Sequence, residues 1–157
     1  MHNFLSADDR FAILDVIHSY NLTADEKDVE GTIAHYVEEG QITGDMQTGK
    51  GKAAMREDLP SIFKAEVTLK RHLANNVRFF PTENSEEFRV TYVLLVMEGR
   101  AAPISVATSL VTDLFRRTDQ GWKVVRHHIE VDPSARWLVK FGEKVVNVVE
   151  NIQEKLS

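Results

Sequence analysis

Two segments of the chain carry residue types that can move a proton. TADEKDVEG (residues 23–31) holds carboxylates at Asp25 and Asp28, and KRHLANNVRFF (residues 70–80) holds His72. Imidazole is the side chain whose ordinary titration lies near neutrality, and a carboxylate beside it fixes its orientation and balances its charge. Brought together in an apolar cavity, Asp25 and His72 would form a general acid/base unit suited to a lyase, isomerase or hydrolase. His72 is then expected to act as base, with Tyr20 donating a hydrogen bond to a developing oxyanion. A plainer reading competes: an Asp after a helix can cap the next helix, and a strand His can sit hydrogen-bonded in a core.

The other histidines are weighed in the same way. His127 and His128 are adjacent on an expected strand, so their side chains point to opposite faces and cannot chelate one ion. By alternation, His127 goes with Val125, Ile129 and Val131, and His128 with Trp122, Val124, Arg126 and Glu130. Alternation alone does not decide which of the two enters the cavity; His128 is named as a substrate-facing candidate, together with Phe63, Asn76 and Tyr92. Phe79 and Val106 are further expected pocket walls. His18 and His35 receive no role. No H-x-H or H-x-x-x-H pair occurs and cysteine is absent, so no metal site, disulfide or cofactor is implied.

These residues need elements to hold them. Ser6 with Asp9 three residues later is a capping signal, and Ile13, Val16, Ile17 and Tyr20 repeat at helical spacing, which predicts a helix over 7–22. Asp28 would start a second helix carrying Val29, Ile33, Tyr36 and Val37, with Gly40 ending it. A short strand at 41–43 and a Gly-rich turn (Gly44, Gly49, Gly51) follow. Residues 52–66 read as a third helix, which Pro60 should kink or split. Beyond that, Val, Thr, Phe and Tyr dominate long extended segments at 70–81, 87–98, 104–117 and 121–131, separated by short polar turns. The segment 134–157 is an amphipathic helix, with Leu138, Phe141, Val145, Val148, Ile152 and Leu156 on one stripe. The stripe covers the domain's own sheet or meets a second copy.

The 157 residues fit one domain, and 43% hydrophobic residues suffice for a sizeable core. A net charge of −5 argues against nucleic acid and anionic membrane as partners, since both reward clustered Lys and Arg. The N-terminal MHNFLSADDR has no secretory pattern and no stretch is apolar enough to span a bilayer, so a cytoplasmic protein is expected. The fold class is α+β: a cone-shaped, curved antiparallel sheet with the N-terminal helices packed on its concave face, plus the long C-terminal helix.

This order of elements resembles the nuclear-transport-factor-like (cystatin-like cone) superfamily, and within it the SnoaL-like and scytalone dehydratase-like proteins. The resemblance covers roughly residues 6–132. It rests on a first helix ending in Tyr20, the D-x-x-D of Asp25 and Asp28, the RH-x-x-x-N-x-x-F of Arg71, His72, Asn76 and Phe79, and the GWKVVRHH of residues 121–128. The resemblance implies that Asp25 and His72 form the acid/base pair, with Tyr20 a looser match to a family tyrosine. The chain departs from the dehydratase pattern near Gly44, where the resemblance implies a second Tyr, roughly at Val111, where it implies a polar amide, and in lacking a second His within 87–98.

Three functions follow. The first is a cofactor-independent lyase or isomerase (a dehydratase, cyclase or isomerase) acting on a hydrophobic cyclic small molecule through His72 and Asp25. The second is a non-catalytic module that binds an apolar ligand in the same cavity. The third is a structural subunit resembling the small subunits of ring-hydroxylating dioxygenases. A homodimer is expected from the last helix and from the habit of the family.

Overall fold

The structure, a computed structural model, describes residues 5–65, 68–99 and 104–133. The helix expected over 134–157 lies outside the described residues.

The first helix, α1 (Ala7–Asp25), begins where its sequence says. Ser6 is the N-cap, its hydroxyl accepting from the Asp9 N–H at 3.1 Å. The helix runs three residues past its expected end at Leu22, so Asp25 is its last residue rather than part of the following loop. Asp28 caps α2 (Val29–Ala34) by accepting from the Gly31 N–H at 3.0 Å.

The second helix is shorter than expected. Tyr36 and Val37 belong to β1 (Tyr36–Gly44), where both are buried, because an apolar run of this length fits either period and tertiary pairing decides. Helix α3 (Lys52–Ala65) runs through Pro60 without the expected break. Pro60 is exposed, so the bond it denies to the Arg56 carbonyl faces solvent, and Met55, Leu59 and Phe63 stay buried on either side of it.

The four later strands, β2 (Lys70–Pro81), β3 (Glu87–Glu98), β4 (Ile104–Thr118) and β5 (Gly121–Val131), fall within a residue of their expected bounds. They pair antiparallel in sequence order. Strand β1 adds to the far edge, parallel to β5, so the sheet is mixed, with the order β1-β5-β4-β3-β2. The fold is α+β, with Ile13, Ile17, Ile33, Met55, Leu59 and Phe63 of the helices packed on one face of the sheet, against Phe88, Val90, Val111, Phe115 and Val124.

Two irregularities reset which side chains face this core. In β5 the register shifts opposite Leu114 and Phe115, inserting one residue near Val125. Because side chains alternate residue by residue, one extra residue swaps the faces. Trp122 and Val124 before the shift, and His127 and Ile129 after it, are therefore all buried in the core. In β2 the shift between Asn75 and Arg78 centres on Asn76, whose φ is +55°, and it returns Val77 and Phe79 to the core side.

Candidate active site

Helix α1 lies alongside the edge strand β2. The Arg10 guanidinium stacks over the Phe79 ring at 5.3 Å, and fifteen residues later Asp25 meets His72. Fifteen helical residues rise about 22 Å, and the seven strand residues from Phe79 back to His72 span about 23 Å. The two elements run in opposite directions at matched length, which is why residues forty-seven positions apart in sequence meet.

Asp25 holds His72 at two points. Its Oδ1 lies 2.6 Å from His72 Nδ1, and its Oδ2 accepts the His72 backbone N–H at 3.2 Å. A carboxylate only accepts, so Nδ1 carries a hydrogen toward Asp25. The Asp25 side chain is 4% exposed and that of His72 17%, and Arg71 Nη1 lies 4.0 Å from the second Asp25 oxygen. A carboxylate at the last residue of a 19-residue helix faces the negative end of the helix dipole, so helix stability does not explain it. Capping does not explain it either, since Asp28 performs that task.

A second pair lies on the same face of the sheet. Asp113 and His127 are cross-strand partners whose Oδ1 and Nδ1 approach to 2.6 Å, and the Tyr92 hydroxyl donates to Asp113 Oδ2 at 3.0 Å. All three residues are at most 2% exposed. The rings of Tyr20 and His127 lie 4.9 Å apart, and Tyr20 meets the Tyr36 ring edge-on at 5.7 Å. All 3 tyrosines of the chain thus gather around one Asp–His pair. Burial, above all, pushes the hydroxyls of Tyr36 and Tyr92 well above the usual tyrosine value, and both stay protonated. By register, Val96 opposite His72 and Val90 opposite Asp113 stand six residues apart on β3, about 20 Å.

The expected site residues therefore divide. His72 and Asp25 meet. Tyr20 stands five residues before Asp25 on α1, about 7.5 Å along the axis, and its ring belongs to the second cluster. Tyr92 is a partner of Asp113, and Phe63 is a buried core residue of α3. Asn76, expected at the substrate, is exposed at the β2 irregularity. His128, expected to face the pocket, points to the opposite face, where Nδ1 lies 2.9 Å from Thr43 Oγ1 and Nε2 3.2 Å from Glu130. His127 takes the inner position because of the extra residue in β5. A groove of about 320 Å³, lined by Arg89, Thr112, Leu114 and Arg126 among others, also opens away from His72.

Sequence reasoning missed Asp113 and His127 as a pair. A signal was present: Asp113 shares parity with Ser109, Val111 and Phe115, all buried, so an acid at that position had to be partnered. It also missed Asn21. That residue is 4% exposed, and its Nδ2 has no hydrogen-bond partner. Among the described residues no group of three or more His, Cys, Asp or Glu could hold a metal, and no helix is long and apolar enough to cross a membrane.

Residues 6–128 match the SnoaL-like domain, and the chain belongs to that family. It is a SnoaL-like member of the NTF2-like superfamily, as solved structures of the same fold bear out. A cystatin-like-fold protein of unknown function from Nostoc punctiforme is 26% identical with a TM-score of 0.73, the match covering 83% of this chain and 96% of that one. An NTF2-like protein with a cystatin-like fold from Novosphingobium aromaticivorans is 24% identical, with a TM-score of 0.68 and coverage of 83% and 88%. A protein from Catenulispora acidiphila in complex with S-DNPA shares the fold at 14% identity, with a TM-score of 0.71 and coverage of 81% and 96%. No curated protein matches the chain.

Proposed function

We propose that this chain is a cofactor-independent enzyme of lyase or isomerase type, in which His72 removes a proton from a hydrophobic cyclic small molecule and Asp25 holds the imidazole in the basic tautomer. Membership of the SnoaL-like family and a fold relative carrying a small ligand support a small-molecule role. The observation that carries the acid/base reading is the double hold of Asp25 on His72, through Nδ1 and through the backbone N–H. A histidine fixed at both points presents Nε2 in one direction, which a proton acceptor requires and a space-filling residue does not.

The test uses 2-tetralone, a bicyclic ketone with acidic α-hydrogens, in D2O. Proton NMR should show the wild-type protein accelerating α-hydrogen exchange, with His72→Gln and Asp25→Asn each slowing it by about 100-fold or more. Exchange that is equally fast in the wild type and in His72→Gln would sink the proposal. Saturable binding without any exchange would favour the ligand-binding module instead.

A further inference from the structure

We infer that the outer face of the sheet carries a second ligand site, a groove between Arg89 and Arg126 that takes a small organic dianion with its two carboxylates at opposite ends of a flat apolar body. The groove opens away from His72, and its test does not depend on the proton-transfer reading.

Strand register builds the site. Arg89 of β3, Leu114 of β4 and Arg126 of β5 are successive cross-strand partners, so the two arginines stand on either side of Leu114. Neighbouring strands lie about 4.8 Å apart, which puts the two Cα atoms about 10 Å from each other. The inserted residue near Val125 that turns His127 to the core turns Arg126 outward, where it is exposed. Arg89 is held from the side by an aromatic ring. Its guanidinium lies 5.1 Å from the centre of the Phe80 ring, and that of Arg78 lies 5.4 Å from the same ring. Arg89 and Arg126 both line the groove of about 320 Å³, together with Pro81, Glu83, Thr112 and Leu114. That volume falls at the lower end of the range for small-molecule sites, about 300–1,000 Å³.

The charges of this face are unmatched. Acids outnumber Lys and Arg by 24 to 19, and Arg56, Arg71, Arg116 and Arg117 each meet a carboxylate within 4.0 Å. Arg78, Arg89 and Arg126 meet none among the described residues. Glu83 brings a single negative charge to the lining, and the Asp113 carboxylate is turned to His127 and Tyr92 on the core face. Two cations about one Debye length apart repel, and a ligand with a carboxylate for each removes that repulsion. A guanidinium fork matches a carboxylate through two N–H···O bonds. A monocarboxylate or a phosphate would meet one arginine and leave the other unpaired. Leu114, midway, offers no polar partner, so the body between the two charges is apolar.

The test is isothermal titration calorimetry at low salt with three benzene derivatives. Terephthalate has its carboxylates at opposite ends of the ring, phthalate has them on neighbouring carbons, and para-toluate has a methyl in place of one. Wild type should bind terephthalate saturably and about tenfold tighter than either of the others. Arg89→Gln and Arg126→Gln should each weaken terephthalate by about tenfold. Lys64→Gln removes an exposed charge on α3 and should change the affinity by less than about twofold. Both arginines are exposed, so their variants should melt at the wild-type temperature. No saturable binding of terephthalate by the wild type, phthalate bound as tightly, unchanged affinity in the two arginine variants, or an equal loss in Lys64→Gln would each overturn the assignment.

Discussion

Asp113 and His127 stand directly opposite each other on β4 and β5, with Oδ1 and Nδ1 2.6 Å apart in the interior of the sheet face. Only the irregularity near Val125 makes this possible. Without it His127 would point outward and Arg126 would stand opposite Asp113. Desolvating the pair is costly, and removing one member leaves the other buried and unpaired, a loss of about 3–5 kcal/mol. Asp113→Leu and His127→Leu should each destabilise the protein by that order in urea unfolding. The double variant should cost clearly less than the sum, because neither polar group is then left buried without its partner. Additive losses would mean that the pair is not coupled. Tyr92→Phe removes one of two partners of Asp113 and should cost about 1–2 kcal/mol.

The antiparallel strands were legible in the sequence because the strand segments alternate over ten residues or more between polar turns. The meeting of Asp25 with His72 was reached through the family resemblance, since the expected helix stopped at Leu22, short of Asp25. Legibility stopped where one residue changes a face. Alternation in β5 placed His128 with Trp122 and Val124, and a single inserted residue put His127 there instead. Periodicity carries no record of such an insertion, since each half of the strand alternates correctly by itself. Tyr36 was read into a helix for a related reason: Val29, Ile33 and Tyr36 fit the helical period, and only pairing with Val124 shows the strand.

Stability should depend on pH in two separate windows. His35 is partly buried, and burial, then the nearby Lys123, hold its pKa below the ordinary 6.5. The unfolded chain therefore binds a proton that the folded chain refuses, and stability falls as pH drops through that region. Asp9 acts lower on the scale. Hydrogen bonds from the Arg117 guanidinium and then the Ser6 hydroxyl hold its carboxyl well below the ordinary 3.8, so its contribution is full above 3.8 and is lost as pH falls toward the folded value. Urea midpoints measured from pH 8 to pH 2 should show both declines. His35→Gln should remove the upper one and Asp9→Asn the lower, and a variant that leaves its own window unchanged would refute that assignment.

Pro60 sits inside α3 with no amide hydrogen to offer the Arg56 carbonyl. Its side chain is exposed, so replacing it sacrifices no core contact. Pro60→Ala should raise stability by about 1–3 kcal/mol, since an interior proline costs about 3 kcal/mol in helix propensity and part of that returns through a stiffer unfolded chain. Thermal unfolding measures it directly. A lower melting temperature would show that α3 needs the proline to set its path across the sheet.

Gly44 lies near the position at which the resemblance to the dehydratases would place a tyrosine, and its backbone does not accept one. Its φ is +98°, and a Cβ added there would run into the Ile129 carbonyl oxygen, which accepts a hydrogen bond from the Asp45 N–H at 2.9 Å. Gly44→Tyr is therefore expected to disrupt the β1–β5 pairing rather than to add a hydroxyl to the site. Gly121 provides the control, with φ +90° and nothing near an added Cβ. Gly121→Ala should cost only the backbone strain, about 1–2 kcal/mol, whereas Gly44→Ala should cost that strain and the clash together. Equal losses for the two alanine variants in urea unfolding would mean that Ile129 gives way. The tyrosine of the dehydratase pattern would then be compatible with this sheet.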